Sequence, residues 1–204
     1  MAWAEVYMTM EKLLSATDEE LMGRVAAGEE RAFLALYHRH KTEIYRFAFH
    51  MSGSAAIAEE VTQEVFVTII RKAGSYKPAR AAVGAYLFGI ARNVVLQHLE
   101  RGRRYSSLDD SPERPASENP LTELTRGEVI DAVRRAVLGL PAVYREVVIL
   151  CDLEQMSYTE AAAALCCAIG TVRSRLNRGR ALLAQKLRPF RTSLGESVHE
   201  LRRV

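Results

Sequence analysis

The chain has 204 residues, with 28 Lys and Arg against 25 Asp and Glu, giving a formal net charge of +3. That length accommodates one large domain or two small ones, and 49% hydrophobic with 26% charged residues is ordinary for a soluble globular protein. No run of about 18 apolar residues offers a membrane span, and Met1–Glu5 lacks the cationic start of a secretory signal.

In chain order, Thr17-Asp-Glu-Glu20 forms a capping box that predicts a helix toward Ala27. Phe33, Leu36, Tyr37, His40, Ile44, Phe47 and Met51 recur in steps of three and four, which predicts one buried stripe on a long helix. Ser52-Gly-Ser54 ends it. A further helix is expected from about Ala55 to Lys72, burying Ala58, Val61, Val65 and Ile69 and turning Glu60, Gln63, Glu64 and Arg71 outward. Gly74 to Gly84, with Pro78, is a loop or broken turn. Helix resumes from about Ala85 to Glu100, and Arg101-Gly-Arg-Arg104 closes the segment with three positive charges.

Composition then changes. Ser106 to Asn119 carries two prolines, four serines and four acids (Asp109, Asp110, Glu113, Glu118) against the single base Arg114, with no hydrophobic period. A flexible acidic linker is the expectation. Helical pattern returns from Leu121 to Leu138, Gly139-Leu-Pro141 breaks it, and Pro141 is suited to start a helix reaching about Leu153. The expected fold is therefore all-α, with two small helical domains joined by the linker. The expected boundaries are 1–28 for an N-terminal extension and first helix, 29–105 for the first domain and 106–120 for the linker. The second domain is expected at 121–191, followed by a tail at 192–204.

Charge is unevenly placed in the second half. Between Ala161 and Gly195 there is no acid, but there are seven bases. Just upstream, Ser157-Tyr-Thr-Glu160 reads as a capping box; a short Ala-rich helix to Leu165, a three-residue turn and a helix from Ile169 follow. A short capped helix, a tight turn and an arginine-rich second helix is the pattern of a helix-turn-helix DNA reader. Val172, Leu176, Leu183 and Leu187 share one face and are expected to pack on their own domain. Residues near such a helix's N-terminus reach base edges, which singles out Thr171, Arg173, Ser174 and Arg175. Arg178 and Arg180, farther along, suit phosphate. The bland alternative is a solvated basic helix that tethers to RNA or membrane.

The motif Ser157-Tyr-Thr-Glu-Ala161, with Ile169-Gly-Thr-Val-Arg-Ser-Arg-Leu-Asn-Arg-Gly-Arg180, resembles the promoter-reading fourth region of the extracytoplasmic-function sigma factors of bacterial RNA polymerase. Ala58-Glu-Glu-Val-Thr-Gln-Glu-Val-Phe66 resembles that family's polymerase-docking helix, and Tyr86-Leu-Phe-Gly-Ile-Ala-Arg-Asn93 its promoter-melting helix. The three motifs stand in the family's order over roughly Glu29 to Phe190. The resemblance implies docking of Glu60, Gln63 and Glu64 on core RNA polymerase, with Phe66 supporting the ridge from the core side. It further implies that Thr171, Arg173, Ser174, Arg175, Arg178 and Arg180 serve the minus-thirty-five element of promoter DNA. The melted minus-ten strand would be held by the segment Tyr86 to Arg104. Unpaired bases need platforms and phosphate-binding cations, which Tyr76, Tyr86, Arg92, Asn93, Arg101, Arg103 and Arg104 supply, though plain core packing rivals that role at Tyr86. An anti-sigma factor is a further implied partner, and the acidic tether is either a polyanion mimic for a basic channel or a solubilising spacer. Tyr86 stands where the family usually has tryptophan, Glu60 where aspartate is usual and Gly179 where alanine is usual; Gln97 and Glu100 replace an expected acid and base.

Nothing points to catalysis, a small-molecule substrate or a cofactor: no Gly-rich phosphate loop, paired-carboxylate site or nucleophile triad is recognisable. His38, His40 and His50 read as core or surface histidines rather than metal ligands. Cys151, Cys166 and Cys167 read as reduced thiols of a cytoplasmic protein, with Cys166-Cys167 packed into the helix-turn-helix turn or acting as a redox or metal switch. Two rival functions remain at this level: a stand-alone helix-turn-helix regulator, which leaves the Glu60 ridge without a purpose, and an interaction decoy, which makes the arginines dispensable.

Overall fold

A computed structural model describes residues 15–106 and 126–190, with side chains described at 15–102 and 128–190. The linker beyond Ser106, the terminal extensions and the Arg103 and Arg104 side chains lie outside the described residues. All regular elements described are helical. They are α1 (Asp18–Ala26), α2 (Glu30–Ser52), α3 (Ala55–Lys72), α4 (Val83–Ser106), α5 (Arg126–Leu138), α6 (Ala142–Val148), α7 (Tyr158–Ala164) and α8 (Ile169–Leu187). No helix among the described residues is long and apolar enough to cross a membrane.

The helix boundaries follow local chemistry. Thr17 accepts the Glu20 N–H while the Glu20 carboxylate accepts the Thr17 N–H, so both arms of the expected box close on α1. The stripe on α2 buries Leu36, Ile44, Phe47 and Met51, and Gly53 ends the helix at φ +74°, a conformation open to glycine at little steric cost. Ser54 then caps α3 by accepting the Ile57 N–H at 3.4 Å. The buried face of α3 is Ala58, Val61, Thr62, Val65, Phe66 and Ile69; the one buried hydroxyl, on Thr62, is satisfied by donating to Ala58 O at 2.7 Å.

Three helix boundaries differ from the sequence expectation. The fourth helix starts at Val83 rather than Ala85 and runs to Ser106 rather than Glu100, because Gly84 and the Arg101 to Arg104 cluster are compatible with a helix that periodicity alone cannot extend. Pro141 sits one position earlier than expected, as the N-cap of α6 at φ −53° and ψ 140°. After α6, Ile149–Leu153 continues as one π turn, reaching the expected end at Leu153.

Helices α1 to α4 pack around one another, and α6, π turn, α7 and α8 form the second group. The two groups are in contact, chiefly α4 on α7 and α2 on α5 and α6, and their buried side chains join in one continuous cluster from Leu21 to Leu176. Arg145 of α6 ties them at the backbone. Its guanidinium donates to Met51 O at 2.6 Å, to Leu140 O at 2.9 Å and to Leu138 O, collecting carbonyls at the C-terminal ends of α2 and α5. Helix C-termini carry partial negative charge, so a cation there is favourable. Burial pushes the Arg145 pKa down, and its Nε lies buried without a partner.

Candidate functional site

Three surfaces carry the residues singled out in the sequence. The first is the exposed face of α3. Burial of Val61, Val65 and Ile69 turns Glu60, Gln63 and Glu64 to solvent; the Glu60 and Glu64 side chains are 62% and 52% exposed. His98 of α4 backs this ridge, with Nδ1 at 3.5 Å from Glu60 Oε2 and Nε2 at 3.3 Å from Glu64 Oε1. Phe66 faces the other way, buried in edge contact with Tyr37 at 4.8 Å and with Phe33 at 6.3 Å between ring centres. Sequence reading missed what lies beside the ridge. Val67 and Ile70 are exposed, and with Phe33, Tyr37, Tyr45 and Phe66 they line a shallow apolar groove of about 600 Å³. Their signal was present, since both sit at the edge of the α3 stripe, but a stripe edge reads equally as core.

The second surface follows α4. Tyr76 and Tyr86 pair with ring centres 5.3 Å apart, and the Tyr76 hydroxyl donates to Ala81 O at 2.8 Å. Burial, then the carboxylates of Glu19 and Asp18, push the Tyr76 phenol pKa up. Tyr86 is half-buried, between the platform and core readings, while Asn93 and Arg101 are exposed. Arg92 is not open to solvent in the same way. Its Nε donates to Glu146 Oε2 at 2.7 Å and its Nη2 lies 3.4 Å from Glu146 Oε1.

The third surface is α8 and the turn before it. Ser157 and Glu160 close a second complete capping box on α7; the Ser157 hydroxyl and N–H hold the Glu160 carboxyl below its usual range. Cys166 then adopts φ +49°, and the N–H groups of Cys166 and Cys167 return to Ala163 O and Ala162 O at 3.2 and 3.0 Å. This is the backbone bonding that glycine usually serves at a helix end. Cys166 is exposed and Cys167 half-buried, so the expectation of tight packing at the turn is corrected for Cys166, which stands at the left-handed, solvent-exposed point of the turn. Among the described residues no group of three or more His, Cys, Asp and Glu is arranged to hold a metal.

Helix α8 buries Val172, Leu176 and Gly179 and half-buries Leu183 and Leu187. Its first turns present Arg173 and Ser174 outward, with Thr171 half-buried and Ser174 Oγ donating to Thr171 O at 3.0 Å. The Arg173 guanidinium lies over the Tyr158 ring at 5.8 Å, a cation–π contact that orients it. Arg175 approaches Glu146 Oε1 at 3.5 Å. Arg180 is bound at two points by Asp152, whose hydrogen bonds and charge raise its pKa further. Arg178 is exposed and enters no ion pair among the described residues.

Arginines on a helix whose apolar face is buried, a short capped helix ahead of it and a tight turn between them form a positively charged edge that phosphates find attractive. The acidic ridge of α3 repels nucleic acid and suits a basic or polar protein surface.

Comparison with known proteins identifies two family regions in the chain. Residues 36–105 match the family model of sigma-70 region 2, and residues 130–183 match that of sigma-70 region 4. The chain is 34% identical over 180 residues to the ECF RNA polymerase sigma factor SigE of Mycolicibacterium smegmatis, covering 85% of this chain and 69% of that protein. It is 32% identical over 187 residues to the ECF RNA polymerase sigma-E factor of Escherichia coli K12, covering 85% and 96%. Among solved structures, it is similar to CnrH in complex with the cytosolic domain of CnrY, with a TM-score of 0.65 and 27% identity over 83% of this chain and 96% of that one. It is also similar to the sigma factor RpoE in complex with the anti-sigma factor NepR from Bartonella quintana, with a TM-score of 0.59 and 29% identity over 72% and 91%. With both sigma regions matched in order and relatives aligned over most of its length, the chain belongs to the extracytoplasmic-function sigma factors of bacterial RNA polymerase.

Proposed function

We propose that this alternative sigma factor divides its work between the three surfaces described. Its ridge Glu60, Gln63 and Glu64, stiffened by buried Phe66, docks on core RNA polymerase, and the apolar shelf of Val67 and Ile70 adds area to that contact. Tyr86, Asn93 and Arg101, with Tyr76 behind and Arg92, Arg103 and Arg104 along the same helix, hold the unpaired minus-ten strand. Arg173, Ser174 and Thr171 read base edges of the minus-thirty-five element, while Arg175, Arg178 and Arg180 lie toward phosphates. Bond making stays with the polymerase, and the reading places the protein in the cytoplasm. An antagonist of the anti-sigma class is expected as a partner, by analogy with the RpoE and NepR complex.

One observation carries this reading. Exposed Glu60 and Glu64 stand together on α3, and exposed Arg173, Arg178 and Arg180 stand together on α8, so the chain offers one face suited to a protein and another suited to a polyanion. Two DNA contacts that are individually weak gain strength when one polymerase holds both. Arg173→Ala tests the assignment of α8. In holoenzyme bound to a promoter fragment, it should weaken protection of the upstream element by roughly tenfold while leaving binding to core unchanged. Equal loss of core binding would contradict the division.

A further inference from the structure

The two acids assigned to docking, Glu60 and Glu64, stand one turn apart on α3, and both side chains are more than half exposed. Like charges at that spacing repel, and long exposed side chains sample many rotamers. A partner that binds both carboxylates must first order them. His98 of α4 stands between them. Leu87, Ala91 and Val95 are buried along α4, and His98 is the next position on that stripe. Its side chain is only 15% exposed, so helix packing sets where the ring lies. Nδ1 is 3.5 Å from Glu60 Oε2, and Nε2 is 3.3 Å from Glu64 Oε1. Among the described residues, His98 is the one ion-pairing partner of either carboxylate.

Resting on the reading of α3 as the polymerase-docking ridge, we propose that His98 is a positioning residue for docking. A single ring, anchored in the packing of α4 on α3, takes one oxygen of each carboxylate and fixes where the two side chains stand. A carboxylate has two oxygens that accept. The ring engages Glu60 Oε2 and Glu64 Oε1, which leaves Glu60 Oε1 and Glu64 Oε2 for cations or N–H donors of the polymerase. A neutral ring carries one N–H and donates to one carboxylate, whereas the protonated ring donates to both and offsets their mutual repulsion. The side chains give up rotamer freedom when the protein folds rather than when it docks, so less is lost at encounter. His98 lies on α4 between Asn93 and Arg101 in sequence, so the ridge is also tied to the helix assigned to the minus-ten strand.

If His98 only filled space between the helices, its removal would act independently of the two acids. A double-mutant cycle on core binding separates the two roles. His98→Leu keeps an apolar body in the stripe and removes both donors. His98→Gln keeps one amide that reaches one carboxylate. Each change is made in the full-length chain and again in a chain carrying Glu60→Ala and Glu64→Ala. Kd for core polymerase is read from the anisotropy of a terminal fluorophore, after circular dichroism and thermal melts have verified folding.

The expected result is a Kd about fivefold higher for the Leu variant, the scale of re-ordering two side chains, with the Gln variant in between. The chain lacking both acids is itself weaker by roughly tenfold or more, and in it neither change at position 98 has a further effect. The Gln variant runs through the same cycle, so a Leu variant that fails to fold leaves the comparison intact. A Leu variant that binds core as tightly as wild type overturns the proposal, as does a loss that persists undiminished once the acids are gone. The two levels are distinguishable. An acid-free chain that binds core like wild type removes the docking reading and the proposal with it, whereas a weakened acid-free chain beside an unaffected Leu variant removes the proposal alone.

Discussion

Arg180 and Asp152 face each other in a two-point ion pair, with Nη2 to Oδ1 at 2.6 Å and Nε to Oδ2 at 3.1 Å. Asp152 lies in the π turn and Arg180 in the middle of α8, so the pair fixes the angle of α8 against the element before it. Arg178, two residues earlier, has no such partner among the described residues. The two arginines should therefore respond differently to removal. Arg180→Ala is expected to lower the melting temperature by roughly 2–4 °C, the scale of a well-formed but partly exposed pair. Arg178→Ala should leave melting unchanged and reduce the salt slope of promoter binding by holoenzyme by about one. Thermal melts and a salt titration on both variants check the contrast.

Gly179 shows propensity and packing in opposition. Alanine in its place gains about 1 kcal/mol as a helix former. Its Cβ, however, would stand 2.8 Å from Val148 Cγ2 and 3.3 Å from Tyr144 O, and overpacking of this kind costs roughly 1–3 kcal/mol. Gly179→Ala is expected to destabilise the protein on balance. Adding Val148→Ala removes the clashing methyl, so the double variant should lose less than the sum of the single ones in denaturant melts.

The turn before α8 offers the opposite case. Cys166 holds φ +49°, where a Cβ is disfavoured by roughly 1–2 kcal/mol. Cys166→Gly relieves this but loosens the unfolded chain, so a net gain of about 0.5–1 kcal/mol is expected. A higher denaturation midpoint with an unchanged slope is the result that checks it.

How much of this was legible depends on range in the chain. The two capping boxes, at Thr17 with Glu20 and at Ser157 with Glu160, need partners only three residues apart, and both close as read. The α3 boundaries came equally from local signals, since Ser54 caps and the apolar period runs unbroken to Ile69. The packing of the two halves was not legible. Arg46 and Glu154 are 108 residues apart, and Arg92 and Glu146 are 54 apart; no local pattern announces such pairs. Reading by residue type assigned Arg92 and Arg175 to DNA without seeing that they share a carboxylate. Gly179 read only as a departure from the family's alanine for the same reason, because Val148 and Tyr144 reach it across the fold.

His40 shows a further long-range pairing with a pH signature. Its Nε2 lies 2.7 Å from Asp18 Oδ2 and its Nδ1 3.4 Å from Glu43 Oε2. Burial opposes the charged ring as the largest single influence, but Asp18 and Glu43 together outweigh it, and the His40 pKa is raised. A raised pKa means that the pairing contributes fully below the ordinary histidine value and fades as pH rises through the folded one. Wild type should therefore exceed His40→Gln in melting temperature most clearly near about pH 6, with the gap shrinking toward about pH 9. Taking the difference cancels the opposite contribution of His50, whose pKa is lowered by burial and by Arg134 and Arg46.

The most direct measurement of the central claim is run-off transcription from a genomic fragment library, with purified protein and core polymerase free of other sigma factors. The account predicts discrete transcripts that depend on the protein and vanish when Glu60 and Gln63 are both changed to alanine in a chain that still melts as wild type. Absence of transcripts, together with failure to co-elute with core polymerase, would contradict it.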